Sequence, residues 1–115
     1  MNTDNNYPQK VILEPSNSIT KQNSHTLEDT LRQAIEQSSY RTYILNMQRV
    51  EFLDNSGLMT LLSLFKLAQS LGKQLSFCSL TPAVKIVFDI SQVNRIFHLL
   101  DTACLPENEA DFMTI

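Results

Sequence analysis

The stretch Val50-Glu51-Phe52-Leu53-Asp54-Asn55-Ser56-Gly57-Leu58-Met59-Thr60-Leu61-Leu62 decides how this chain folds. An apolar run ends in Asp54-Asn55-Ser56-Gly57, and apolar residues at helical spacing follow at once: Leu58, Leu61, Leu62, Phe65 and Ala68. That is the pattern of a strand that stops, turns and enters a helix. Asp54 or Asn55 can accept hydrogen bonds from the unpaired N–H groups of the first helical turn. Gly57 removes a side chain where the backbone passes close. Ser56 then sits at the positive end of the helix dipole. The plain reading is a helix cap; the sharper one is a hydroxyl presented for modification, because amides and dipole both favour an anion there.

The pattern extends in both directions. Upstream, Val11-Ile12-Leu13 suits a buried strand, Pro15-Ser16-Asn17-Ser18 a turn, and Ile19-Thr20 a second short strand piece. Leu27, Leu31 and Ile35 recur every four residues beside Ala34, opposite Glu28, Arg32 and Glu36, which predicts an amphipathic helix with Asn23, Ser24 or Thr26 as its cap. Thr42 to Met47 reads as a strand covered on both faces. Downstream, Gly72 suits the stop of the second helix. Leu75 to Leu80 reads as a strand, and Thr81-Pro82 opens a third helix, with threonine as its cap and proline at the first helical position where its missing N–H is no loss. Val84, Val87 and Phe88 form its buried stripe, and Ile96 to Leu100 makes a last short strand. Met1 to Gln9, rich in Asn, reads as a flexible lead-in, with one domain over residues 10–115. Strands alternating with helices predict an α/β fold, a mixed and mostly parallel sheet flanked by helices.

Composition narrows the function. The chain has 115 residues, enough for one compact domain, and 43% are hydrophobic, enough to fill a core. A net charge of -3 offers no basic field for phosphates, so nucleic-acid binding is disfavoured. The start lacks the apolar core of a secretory signal, and no run approaches the roughly 18 uninterrupted apolar residues of a membrane span. Cys78 and Cys104 have no zinc or C-x-x-C spacing. A cytoplasmic domain with unlinked, reduced thiols and no cofactor or metal is expected. Asn55-Ser56-Gly57 is not a G-x-S-x-G elbow. The two histidines, His25 and His98, have no sequence reason to reach Ser56. With only Gly57 and Gly72 there is no glycine-rich phosphate loop.

The runs F-L-D-N-S-G-L-M-T-L-L and L-G-K-Q-L-S-F-C-S-L-T-P-A-V-K-I-V-F-D-I-S resemble the STAS domain family, in particular bacterial anti-sigma factor antagonists, over about Val11 to Asp101. Members carry D-[ST]-S-G at this turn. The resemblance implies that Ser56 is phosphorylated by an anti-sigma-factor serine kinase and dephosphorylated by a PP2C-type phosphatase, with Asp54, Asn55 and Gly57 shaping the switch turn. Asn55 stands where members have Ser or Thr, and Gln92 where a glycine usually follows the third helix. Pro15-Ser16-Asn17-Ser18 replaces another glycine turn, with Asn17 able to take positive φ. The family's C-terminal helix is short here, with Pro106 to Phe112 available.

Met59, Leu64, Leu67 and Leu71 on the second helix, and Ile86 and Ile90 on the third, fall off the core stripes. Either they are buried against neighbouring helices, or they form an apolar patch for a partner beside Ser56. Three functions are carried forward: a phospho-switch binding module, a constitutive scaffold using the same face, and a small serine-dependent enzyme.

Overall fold

The computed structural model describes residues 9–100 and the strand Ala110–Thr114. Along them run β1 (Lys10–Glu14), α1 (Ser24–Gln37), β2 (Thr42–Asn46), α2 (Asn55–Ser70), β3 (Gln74–Cys78), α3 (Pro82–Ser91), a 3-10 turn (Val93–Arg95), β4 (His98–Leu99) and β5 (Ala110–Thr114). The lead-in before Gln9 lies outside the described residues. Gln9 itself already joins the sheet, its carbonyl accepting the N–H groups of Arg41 (3.0 Å) and Thr42 (3.1 Å).

The strands lie in the order β4-β3-β2-β1-β5, and every described pairing is parallel. Each helix carries the chain from one strand to its immediate neighbour, always toward the β4 edge. Right-handed crossovers taken in one direction put α1, α2 and α3 on the same face. Side-chain alternation agrees. Val11, Tyr43 and Leu75 stand in register, as do Leu13, Leu45 and Phe77, and all are buried in one core with Leu31, Ile35, Leu61, Val84 and Phe88 from the helices. The Phe77 ring stacks on Phe97 at 4.6 Å between centroids and meets Phe88 edge-on at 5.9 Å.

The opposite face carries the row Ile12, Ile44, Ser76 and His98. Among the described residues no helix packs there, and Ile44 is only half-buried. The expectation that β2 is covered on both faces is met on one face only among the described residues. A continuous apolar triplet does not reveal on which side the crossovers fall.

Other local differences have simple causes. Ile19 contributes a single parallel bridge to Leu53 rather than a strand, because the chain turns at once into α1. The last strand of the α/β repeat shortens to His98–Leu99, since Val93–Arg95 wind into the 3-10 turn. Where a short C-terminal helix was expected, Ala110–Thr114 is a strand parallel to β1; residues 106–109 lie outside the described residues. Asn17 is not among the residues with positive φ, so that turn closes without a left-handed residue. Cys78 is disulfide-bonded rather than a reduced thiol; Cys104, the chain's other cysteine, is outside the described residues.

Helix ends follow the sequence closely. Gly72 takes φ +71 after α2, and Lys73 N–H returns to the Ala68 carbonyl at 2.8 Å. The Lys73 ammonium donates to the carbonyls of Ile35 (2.5 Å) and Ser38 (2.9 Å), placing a cation at the negative end of α1. Gln92 ends α3 at φ 63, the left-handed region that penalises a Cβ. Gln92→Gly relieves that strain and is expected to raise unfolding stability by ~0.5–1 kcal/mol, after the larger unfolded-state entropy of glycine is subtracted. Denaturant melts with an unchanged slope would show it; a lower midpoint would contradict the account.

Candidate functional site

The turn after β2 is built around Asp54. Its backbone is extended (φ -97, ψ -172), so it caps α2 from outside the helix. One carboxylate oxygen accepts the Gly57 N–H at 2.9 Å, and the Asp54 carbonyl accepts the Leu58 N–H at 2.9 Å. The other carboxylate oxygen accepts the Lys21 N–H at 3.0 Å, from the loop between β1 and α1. Asp54 is thus the cap, and Asn55, the alternative, is the exposed first residue of the helix.

Gly57 has a steric reason. A Cβ at this position would collide with the Ile19 carbonyl. That carbonyl also accepts the Asp54 N–H at 3.3 Å, while Ile19 N–H donates to Phe52 O at 3.1 Å. Loop and turn are stitched together, backbone to backbone.

Ser56 is what remains outside. Leu58 and Leu61 point into the core, Gly57 lies against Ile19, and Asp54 is committed to amides. Ser56 is half-exposed, and its hydroxyl makes no hydrogen bond among the described residues. Neither histidine contacts it. His25 faces Asp29 at 3.5 Å in solvent, and His98 Nδ1 lies 2.6 Å from the buried Ser76 hydroxyl on the far face of the sheet. Neither histidine is therefore placed to act as a base on Ser56, and the Asp54 carboxylate is engaged by backbone N–H groups.

The expected patch resolves residue by residue. Met59 (54% exposed), Ile86 (57%) and Ile90 (77%) do face solvent. Leu64 does not: it is completely buried, and the true stripe of α2 runs Leu58, Leu61, Leu64, Ala68. Leu62 and Phe65 flank that stripe; Phe65 meets the Phe97 ring at 5.2 Å. Leu67 is half-buried and packs on the core. Phe52 and Ile96, absent from the expected set, are exposed at 52% and 55%. The start of α3 is tied to this region: Thr81 does not cap its own helix but donates its hydroxyl to Val50 O at 2.8 Å.

Between α1 and α2, Glu28 accepts from Ser63 (2.9 Å) and Arg32 (2.8 Å). Burial works to raise its pKa, but the Ser63 and Arg32 hydrogen bonds, the Arg32 charge and Thr60 outweigh it and lower the value. This network joins the helices behind the turn. No helix among the described residues is long and apolar enough to cross a membrane.

The STAS domain model matches residues 2–103. The chain belongs to the STAS domain family. An anti-sigma F factor antagonist from Paenibacillus polymyxa is 24% identical over 91 residues, which cover 79% of this chain and 78% of that protein. Among solved structures, a candidate anti-sigma factor antagonist from Thermotoga maritima superposes with a TM-score of 0.76 at 23% identity, covering 82% of this chain and 80% of that one. The Bacillus cell fate determinant SpoIIAA in its phosphorylated form gives 0.61 at 18% identity, covering 82% and 85%. At such identities the structures speak for the STAS fold.

Two consequences of the turn can be measured. Gly57→Ala forces the Ile19 carbonyl away and should destabilise the domain by ~1–3 kcal/mol, the range for overpacking; unchanged denaturant unfolding would refute the close approach. Asp54 has its pKa lowered by the N–H groups of Gly57 and then Lys21, with Ser56 adding to them, so its folded value is depressed below the ordinary 3.8. The stability it contributes is complete above about pH 3.8 and is lost as pH falls through the depressed value. Asp54→Asn should flatten that acid limb in thermal melts, with its largest loss of stability near neutrality and behaviour converging on the parent's at low pH.

Proposed function

We propose that this STAS domain is a non-enzymatic phospho-switch of the anti-sigma factor antagonist type, acting in the cytoplasm. With Ser56 unmodified, the turn and the apolar residues beside it dock an anti-sigma-type serine kinase. The Ser56 hydroxyl oxygen attacks the γ-phosphorus of the kinase's ATP, ADP leaves, and the hydroxyl proton passes to a base of the kinase. The modified domain is released. A PP2C-type phosphatase hydrolyses the ester with water, restoring the hydroxyl and liberating inorganic phosphate.

The observation that carries this reading is a half-exposed hydroxyl with no hydrogen-bond partner among the described residues, at the start of a capped helix, with Met59 one turn further along the same side. Asp54, Asn55 and Gly57 hold that turn, and Met59, Ile86 and Ile90 supply the exposed apolar contacts, with Leu67 at the margin. A phosphate adds about -1.5 to -2 charge at a helix N-terminus, where backbone amides tolerate it. Beside apolar side chains and the exposed Glu51 the same charge spoils a docking surface. A loss of ~1.4 kcal/mol already lowers affinity tenfold. The similarity to anti-sigma factor antagonists, one of them a phosphorylated form, supports the reading.

Incubation with a cognate serine kinase and ATP, followed by intact mass, separates the switch from a constitutive scaffold. Ser56→Ala should abolish the mass gain and keep kinase binding. Ser56→Asp should weaken binding at least about tenfold. A full phosphate gain in Ser56→Ala would move the site elsewhere, and equal binding by all three chains would favour the scaffold.

A further inference from the structure

We propose that the loop Thr20–Asn23 is a second, movable part of the same surface, released at its Lys21 end when Ser56 carries a phosphate, with Asp54 as the positioning residue that transmits the change. This rests on the reading of Ser56 as a phosphoacceptor.

The loop is preformed. Asn23, in the capping position of α1, turns its side chain back: Oδ1 accepts the Thr20 N–H at 2.8 Å and Nδ2 donates to Ser18 O at 2.7 Å. Thr20 O accepts the N–H groups of Asn23 (3.0 Å) and Ser24 (2.7 Å), which makes the loop the entry to α1. One end is anchored by Ile19, whose side chain is 1% exposed and whose backbone is bonded to Phe52 and Asp54. The other end is held to the serine turn by a single bond, Lys21 N–H to Asp54 Oδ2. Lys21 and Gln22 are exposed.

Asp54 is the one charged side chain in this stitching, and it is held by amides; among the described residues it has no cationic partner. A phosphate on Ser56 is tethered two residues away and seeks the same N–H groups at the start of α2. It competes for the donors on which Asp54 rests and repels its carboxylate at short range. The helix cap is local and re-forms with phosphate as acceptor. The bond to Lys21 reaches across from another segment, so it is the one given up. Loss of that bond changes the shape of the exposed Thr20–Asn23 backbone while Ile19 keeps its place. A charge added at Ser56 becomes a change in backbone form beside it.

The test uses full-length chain with phosphoserine installed genetically at position 56, so no kinase is needed, and amide hydrogen exchange at Lys21. Exchange is expected to be at least about tenfold faster with phosphoserine than with serine. Core amides of Leu31 and Leu61 should be unchanged. In Asp54→Asn carrying phosphoserine, the phosphate holds the Gly57 N–H, the single amide oxygen turns to accept from Lys21 and the amide NH2 donates to the phosphate, so the acceleration should largely vanish. Raising the salt concentration, which screens the repulsion, should restore protection in the phosphorylated parent and needs no second substitution. Equal Lys21 exchange with and without phosphate, or an acceleration insensitive to both Asp54→Asn and salt, overturns the coupling. Neither result bears on partner release: phosphoserine that leaves kinase binding intact would instead sink the proposed function.

Discussion

The carbonyl of Ile19 lies so close to the backbone of Gly57 that no side chain fits between them. This close approach sets the rest of the site. It brings the β1–α1 loop onto the first turn of α2, allows the backbone bonds from Ile19 to Phe52 and Asp54, and fixes the phase of the helix. With Gly57 facing Ile19, Leu58 and Leu61 must face the sheet, and Asn55, Ser56 and Met59 fall on the outer side. Ser56 stays half-exposed because Asp54, Gly57 and Leu58 are committed elsewhere.

The topology explains why these pieces meet. In a parallel sheet whose helices all lie on one face, the loops leaving β1, β2 and β3 emerge at the same edge, the carboxyl ends of the strands, where α/β proteins place their sites. The loop after β1 supplies Ile19 and Lys21, the one after β2 supplies Asp54 and Ser56, and the one after β3 supplies Thr81, whose hydroxyl holds α3 to Val50. Three consecutive crossovers thus build one surface. His98 and Ser76, despite a 2.6 Å contact between a serine and an imidazole, are on the other face and take no part in it.

Much of this was legible because punctuation in the chain is strong. Gly72, Thr81-Pro82 and Asp54-to-Gly57 mark element ends through backbone chemistry that tertiary context rarely overrides, and each ends or opens an element where expected, although the Thr81 hydroxyl is spent on Val50 O rather than on capping its helix. The α/β order and the position of Ser56 at a helix mouth followed from them. Leu64 was misread for a physical reason. α2 is apolar nearly all round, so periodicity could not distinguish the stripe Leu58-Leu61-Leu64-Ala68 from its neighbours; the Gly57 contact decides the phase, and it is visible only in three dimensions. Phe52 was passed over because it sits in a run with Val50 and Leu53, both buried, while it alone turns outward. The role of Asn23 was read as a plain cap, since local sequence does not show that its side chain turns back to Ser18 and Thr20. The strand Ala110–Thr114 carried no turn signal tying it to β1, a partner about a hundred residues away in sequence.

A helix N-terminus is often described as a vacant anion site, but here the site is already filled. Asp54 occupies the donors that a phosphate would seek, and does so with one oxygen on its own helix and one on a neighbouring loop. An incoming anion therefore meets an anion in place, which differs physically from binding at an empty cradle of amides. The apolar core is indifferent to that contest: Leu31, Leu61, Phe77 and Phe88 are buried whichever carboxylate or phosphate oxygen holds the Gly57 amide. The fold is secured mainly by packing behind the turn, and in the proposed switch a charge added at Ser56 acts on the edge outside that packing.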